Sequence, residues 1–541
     1  MLESDVPPDT ALMRYQAYSE AFLRPNLPWP ESLNIGFTNR CHLRCIACHH
    51  SLPQRSPKQR LTDVVWESMR KVASQAMDIT LAGSGESLLH RDFLKLIAQI
   101  GEMRPSLTVY TSMNAWGPGY AEALVDTVGF LYCSLDAARP ETYRRIRKGG
   151  DFESAIERIR EVASHRNARG MTKEDVEIYL AFMPMASNLE EMPELADLCA
   201  RIGADSLLIQ PLFEIVRLNE SAVHPDLLPK LRDRIARTRE RAASLGIHVH
   251  NMMTHVERGE LRTEQPVWKS IAEEITPGES LVGFSWEKPA GTKSILECAN
   301  CFRRIMILPG GLVMPCWTRY YPMGNLNHEP FEAIWQGNNF LDFRRRMLTA
   351  GDPPCPGCVC ERWIPEPTVG NLASEIRAKD MSSLYRVLGW YDLEYNSEGK
   401  PFRWTNRTAT LFLRNTGPAS IIRITGYITK ETEKSFCGEP LTVRINDAQP
   451  LRFFLHQGAF TLKIPVPPAD LPFFKTDIVS PRTWNPKREY GIRKDSRDLG
   501  IIFEEAQILP PYGARDLILS SDQRDTIQTP VQCMNIAGSN L

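Results

Sequence analysis

The sequence has no long uninterrupted apolar run. Its first residues, MLESDVPPDT, are acidic and do not lead from a basic stretch into an apolar one. Neither a membrane span nor a secretory signal is expected, and the protein is read as cytoplasmic. Charge of one sign is also missing: 64 Lys and Arg stand against 65 Asp and Glu, a net charge of −1. That balance argues against broad electrostatic binding to nucleic acid. There is no low-complexity tract and no internal repeat, and 43% hydrophobic with 24% charged residues is the composition of a globular chain. At 541 residues the chain is too long for one core, so two to four domains are expected.

Cysteine is present, and unevenly. Cys41, Cys45 and Cys48 fall within NRCHLRCIACHHS (39–51), spaced C-x3-C-x2-C with no fourth cysteine beside them. Cys298, Cys301, Cys316, Cys355, Cys358 and Cys360 form a second group, while Cys133, Cys199, Cys437 and Cys533 are isolated. In a reducing compartment, clustered cysteines read as metal or redox sites rather than disulfides. The isolated ones read as small buried hydrophobes or surface thiols.

From about residue 33 to 212, apolar β-rich runs alternate with helical periodicity. The runs are LNIGFT (33–38), DITLAGSG (78–85), LTVYTSM (107–113), FLYCSLDA (130–137), VEIYLAFM (176–183) and SLLIQPL (206–212). Segments such as 61–77 and 152–166 carry the helical pattern. Six βα units predict an α/β fold, a partial (β/α)6 barrel with functional groups at the C-terminal ends of its strands. The cysteine triplet follows the first strand and so sits at that mouth. From Gly389 onward, short β-like runs broken by turns predict an all-β sandwich. The expected domains are an N-terminal extension (1–30), the barrel (31–245), a linker (246–295), the second cysteine region (296–365), a helical linker (366–388) and the sandwich (389–541).

Zinc is one reading of the triplet, with His49 or His50 as a fourth ligand. A second reading explains the missing fourth cysteine: a [4Fe–4S] cluster held by three thiolates keeps one iron open for a non-protein ligand. Here the residues resemble the radical S-adenosylmethionine (radical SAM) superfamily, which carries C-x3-C-x2-C after the first strand of a βα barrel. The resemblance implies that the open iron binds the amino and carboxylate groups of SAM. An electron from the cluster then cleaves the S–C5′ bond, and a 5′-deoxyadenosyl radical abstracts a substrate hydrogen. An external electron donor such as flavodoxin or ferredoxin is implied.

Further elements follow in the family's order. Gly83, Ser84, Gly85 and Glu86 resemble its GGEP-type turn, with Glu86 toward the SAM amino group. Asn114 stands where a TNG-like element sits. Ser134 and Asp136 match the polar end of the fourth strand, close to the ribose, and Arg147 matches an arginine that meets the SAM carboxylate. Gln210 ends the sixth strand as a further ligand candidate. The family's motif has an aromatic residue before its last cysteine, where this chain has Ala47.

The second group resembles the SPASM/twitch extension of radical SAM enzymes, which houses auxiliary iron–sulfur clusters. The likeness spans CANCFRRIMILPGGLVMPCW, the GNL…EAIW…FRRRM body and CPGCVC. A glycine turn would fold a hairpin back so that Cys298 and Cys316 meet. Six thiols fit one auxiliary cluster, read as [4Fe–4S], with Cys298, Cys316, Cys355 and Cys358 as ligands and Cys301 and Cys360 as alternates. A structural zinc ribbon uses the same C-x2-C pairs.

Residues 389–415 and 479–508 resemble a β-sandwich module found beside bacterial glycosyltransferases and polysaccharide enzymes. Trp390, Trp404 and Trp484 are either sugar-stacking rings or core residues. The expected function is hydrogen abstraction from a sugar, nucleotide-sugar or glycan intermediate, leading to oxidation or epimerisation. A ribosomal peptide substrate is the alternative, although no peptide-binding element is recognised before Cys41. A non-catalytic, metal-stabilised glycan scaffold is the second alternative. Cys133 is weighed as a hydrogen donor against a packed strand residue.

Overall fold

A computed structural model describes residues 27–48, 57–83, 85–212, 220, 222, 224, 226–253, 294–296, 298–316, 321–348, 363–365, 372–381, 388–416, 420–446, 448–466 and 473–509. Cys355, Cys358, Cys360, Cys533, Ser84, His49 and His50 lie outside the described residues.

Each of the six predicted strands forms: β1 (Ser32–Ile35), β2 (Asp78–Leu81), β3 (Ser106–Thr111), β4 (Phe130–Ser134), β5 (Glu177–Phe182) and β6 (Ser206–Ile209). They pair in parallel and in sequence order. Helices cross between them, two of them begun by side-chain caps. Thr62 accepts from the Val65 N–H before Asp63–Ala73, and Asp151 from the Ser154 N–H before Phe152–Ala168.

The sheet grows beyond the predicted six at both edges. At one, β7 (His248–Asn251) pairs in parallel with β6 inside the expected linker. Its sequence, HVHN, carries no apolar run that would mark it as a strand. At the other, β9 (Arg304–Ile307) lies parallel to β1, followed by antiparallel β10 (Leu312–Met314) and β11 (Gly324–Asn325). The second cysteine region is thus built onto the barrel sheet. The β9–β10 hairpin turns at Gly311, whose φ of 85° favours glycine. Between these parts, β8 (Ser294–Leu296) pairs with β12 (Trp363–Pro365).

Strand alternation separates two faces. Leu107, Val109, Leu131, Cys133, Ile178 and Leu180 belong to the main core beneath the helices. On the opposite face Tyr110, Tyr132 and Tyr179 stack across three strands, with ring centroids 4.5 Å apart at each step. Cys133 faces away from these rings and is fully buried, the packed-strand reading of that residue.

The C-terminal region is two antiparallel sheets. One holds β14 (Trp390–Tyr395), β15 (Pro401–Thr405), β17 (Ser420–Ile428), β20 (Gly458–Val466) and β22 (Ile502–Leu509). The other holds β16 (Thr408–Arg414), β18 (Leu441–Ile445), β19 (Leu451–Phe453) and β21 (Phe473–Val479). The helical linker expected over 366–388 is corrected where it is described. There β13 (Glu375–Arg377) pairs with β22, and Ile376 is buried. Local helical periodicity loses to the open edge of a neighbouring strand. The sandwich therefore takes up residues before Gly389. At the other end, the N-terminal extension reaches the core by residue 27: Leu27 is buried and the Pro28 carbonyl accepts from Trp335 Nε1 at 3.1 Å.

The sandwich docks on the N-terminal ends of the barrel strands. Lys487 Nζ donates to the Pro105 carbonyl and Ser496 Oγ to that of Met77. Arg493 Nη1 donates to the Val125 carbonyl at 2.6 Å, and Lys494 Nζ meets Glu177 Oε2 at 2.5 Å. Met77, Pro105 and Glu177 stand just before or at the starts of β2, β3 and β5. The sandwich is the floor of the barrel, at the end opposite the cysteine triplet.

Candidate functional site

Cys41, Cys45 and Cys48 lie in the loop after β1, at the C-terminal end of the strand. Backbone bonds hold that loop against residues 146–148: Arg44 N–H donates to the Lys148 carbonyl at 2.8 Å and Ile46 N–H to that of Ile146 at 2.9 Å. A second brace comes from the turn after β2, where Glu86 N–H donates to the Arg40 carbonyl at 2.9 Å. Gly85 is needed for this approach, because a Cβ there would lie 2.3 Å from the Thr38 carbonyl oxygen and 2.6 Å from that of Arg40. Gly85 and Glu86 and the cysteine loop are therefore one packed unit.

Glu86 is 5% exposed. Its Oε2 accepts from the Ser112 N–H at 2.8 Å and Ser112 Oγ at 2.7 Å, and Oε1 accepts from the Leu88 N–H at 3.4 Å. These donors fix the carboxylate next to the cysteine loop and leave it lone pairs for a cation. Ser112 was not read from the sequence. Its place in TSMN, one strand over from Glu86, was the only signal.

Arg147 and Asp136 form a buried pair, with Nη2 to Oδ2 at 2.5 Å and side chains 9% and 1% exposed. Asp136 takes a left-handed φ of 58° and its Oδ1 accepts from the Met183 N–H at 2.9 Å. Burial opposes charge on Arg147, but Asp136 beside it more than offsets this and keeps it protonated. Arg147 Nη1 stands 3.9 Å from Cys45 Sγ. Its Nε is buried and has no hydrogen-bond partner among the described residues. A buried guanidinium that keeps one N–H open while another of its nitrogens stands beside a thiol suits an anionic ligand group, so the residues present fit a cluster-bound carboxylate. Asp136 is placed as the counter-ion of Arg147, with both carboxylate oxygens in use.

Asn114 is also brought to this end, but its amide is engaged. Nδ2 donates to the Ser112 carbonyl at 3.0 Å and the Tyr143 hydroxyl at 2.6 Å, and Oδ1 accepts from the Asp151 N–H at 2.6 Å. It ties the β3 turn to the helix start at Asp151. Arg158, read only as part of a periodic helix, braces the same turn through the Met113 carbonyl at 2.7 Å. Gly83 lies in the turn after β2, Ser134 ends β4, and Gln210 follows β6 with its N–H on the Phe182 carbonyl at 3.0 Å. All three stand at the strand ends on the triplet's side. Ala47 packs with Ile146, Met185 and Leu212 in a small apolar cluster at the same mouth.

Burial pushes the Cys41 thiol up to about 12 and raises Cys45, against which Arg147 works. Binding a metal centre here must release protons. Among the described residues no three His, Cys, Asp or Glu side chains close on a single ion.

In the second region Cys301 is buried, while Cys298 and Cys316 are half-buried at the two sides of the β9–β10 hairpin. Arg344, from the helix Asn338–Met347, reaches this turn: Nε donates to the Cys301 carbonyl at 3.0 Å and Nη1 to that of Trp335 at 2.9 Å.

A βα barrel with three cysteines after its first strand and a carboxylate braced after its second defines a class of cluster-mounting barrel enzymes. Residues 35–199 match the Radical SAM superfamily, and residues 298–372 match SPASM, an iron-sulfur cluster-binding domain. The chain carries a radical SAM domain and a SPASM domain, and SAM and [4Fe–4S] clusters are the cofactors these domains imply. Among similar proteins, "Probable GTP 3',8-cyclase" of Methanocaldococcus jannaschii is 27% identical over 192 residues, 35% of this chain and 60% of that protein. The match thus spans only about three fifths of that relative's length. "Sporulation killing factor maturation protein SkfB" of Bacillus subtilis is 22% identical over 318 residues, 58% of this chain and 67% of that protein. Of solved structures, Streptococcus suis SuiB superposes with a TM-score of 0.44 at 14% identity, over 63% of this chain and 74% of that one. No helix among the described residues is long and apolar enough to cross a membrane.

Proposed function

We propose that the chain binds SAM at the mouth of its barrel and removes a hydrogen from carbon of a peptide substrate. In this reading Cys41, Cys45 and Cys48 hold a [4Fe–4S] centre. Bound cluster and SAM supply one-electron cleavage of the S–C5′ bond and hydrogen abstraction from carbon. The observation that carries the reading is the buried Arg147 guanidinium, whose Nη1 stands 3.9 Å from Cys45 Sγ and whose Nε has no partner among the described residues, a donor suited to a ligand carboxylate. Glu86 holds the ligand amino group, Asp136 keeps Arg147 charged and aimed, and Gly85 lets the two loops meet. Gly83, Ser134 and Gln210 line the same end as further SAM contacts, and Asn114 supports the turn that carries Ser112. An external one-electron donor is required.

The peptide reading is preferred over a glycan for three reasons. Trp390 and Trp404 are buried in the sandwich, so they offer no sugar platform. The sandwich also meets the barrel floor, about 13–20 Å from the mouth along strands of this length. The match to SkfB, by its name a maturation protein, runs through more than half of the chain.

The test is anaerobic. Protein reconstituted with iron and sulfide is given dithionite and SAM, and 5′-deoxyadenosine is quantified against Cys45→Ala. A deuterated peptide library and deuterated nucleotide sugars are then compared for label in the 5′-deoxyadenosine. Label from peptides alone supports the proposal; label from nucleotide sugars alone returns the substrate to the carbohydrate class. No Cys45-dependent product with either set sinks the whole reading.

A further inference from the structure

Arg344 is a buried cation without a buried anion to match it among the described residues. It is 4% exposed, and its guanidinium lies 4.1 Å from the Trp335 ring centroid and 4.8 Å from that of Phe340. Two of its nitrogens donate to the Cys301 and Trp335 carbonyls. The third, Nη2, is buried with no hydrogen-bond partner among the described residues. Among the described residues no carboxylate pairs with it. A guanidinium in such a place is costly unless charge and donors are both answered. Aromatic faces and two carbonyls answer part of the charge; one donor stays open.

The missing partner has to be anionic, an acceptor, and next to Cys301. Arg344 grips the carbonyl of Cys301, in the short turn Asn300–Arg303 that follows Cys298. Both cysteines fall within the part of the chain that matches an iron-sulfur cluster-binding domain. Thiolate-bound clusters carry net negative charge, and their sulfurs accept N–H bonds.

We propose that Arg344 is a positioning residue for the auxiliary iron–sulfur centre, holding the cysteine turn by its carbonyl and directing Nη2 at a cluster sulfur or ligating thiolate. A cation with an N–H···S bond favours the reduced, more negative state. Arg344 therefore raises the reduction potential of that centre without touching substrate. The inference rests on an iron–sulfur centre in this domain and not on the substrate.

The test uses full-length protein with Cys41, Cys45 and Cys48 all changed to Ala, so that only the auxiliary centre gives a signal. EPR-monitored redox titration compares this background with R344K and R344Q. The expected result is a lower midpoint in R344Q by about 59 mV, a tenfold change in the one-electron equilibrium, with R344K close to the parent. An R344Q protein with full iron and an unmoved midpoint overturns the proposal. Should R344Q fail to fold, the parent labelled with guanidino-15N arginine decides by pulsed EPR. A 15N coupling to the reduced cluster supports it, and no coupling overturns it. Metal analysis separates the premise: zinc in place of iron ends the iron–sulfur reading of this domain and the role of Arg344 with it, whereas iron with an unmoved midpoint ends only the latter.

Discussion

At the scale of single residues, the mouth of the barrel depends on one ion pair and one absent side chain. Asp136 is the counter-charge that lets Arg147 stay buried and charged. Asn fits the same left-handed backbone and the same volume, so Asp136→Asn removes charge and little else. It should lower the unfolding free energy of the metal-free protein by about 3 kcal/mol, because breaking a buried pair leaves an uncompensated charge. Urea unfolding measures this, and an unchanged midpoint would mean that solvent reaches Arg147. Gly85→Ala tests the close approach of two loops. Its Cβ meets backbone oxygens, which cannot rotate away. The variant should keep the far-ultraviolet circular dichroism of the parent but lose the SAM-responsive EPR signal, while the auxiliary signal persists. Retention of both signals would show that the cysteine loop can move aside.

At the scale of elements, the short helix Pro486–Tyr490 and strand β15 carry the sandwich's two clearest tests. Lys487, on that helix, is pushed down to about 8 from 10.5 by burial, with Arg493 and Arg104 adding to the shift. Below about 8 it is protonated in both folded and unfolded chains and gives stability no slope. Between about 8 and 10.5 the unfolded chain binds the extra proton, so this lysine makes stability rise with pH. The stability of the parent minus that of Lys487→Met should therefore increase across this window, read by urea unfolding at several pH values. A flat difference would place the amine in water. Trp404, on β15, packs edge-to-face on Trp484 with centroids 5.9 Å apart. Trp404→Ala should cost about 3–5 kcal/mol of stability, as large-to-small core changes do. Glycan-array binding equal to the parent's is expected; a selective loss of glycan binding at full stability would make the ring a sugar platform after all.

For the whole molecule, the docking of the sandwich on the barrel floor decides how the domains cooperate. Lys494 crosses from one to the other and pairs with Glu177, which also accepts from Ser206 Oγ at 2.6 Å. Burial alone would raise the Glu177 carboxyl, but the Lys494 and Ser206 bonds outweigh it and hold it below its ordinary range. Lys494→Met leaves that carboxylate half-buried without its cation. Calorimetry should then resolve two unfolding transitions where the parent shows one. Adding Glu177→Gln should bring them back together, since removing both charges costs less than removing one. A single unshifted transition in Lys494→Met would mean that the floor contact contributes nothing to coupling.

Much of this was legible before any coordinates. The cysteine triplet was legible as a metal or redox site, because C-x3-C-x2-C without a fourth thiol is local information, and its finer reading came from the resemblance to the radical SAM superfamily. Periodicity alone placed β1 to β6 and the helices at 63–73 and 152–168, since parallel strands buried on both faces write themselves as apolar runs. Only the tertiary structure could decide the rest. β7 is polar in sequence and becomes a strand because β6 offers it an open edge. Residues 375–377 leave a helical pattern for the edge of β22. Asp136 is the partner of Arg147, and Asn114 ties a turn to a helix start, because residues distant in sequence converge there. Trp390 and Trp404 are core, Trp484 is half-buried against Trp404, and the sandwich is a floor for the same reason: burial is a property of what packs against a residue, and no run of neighbours along the chain contains it.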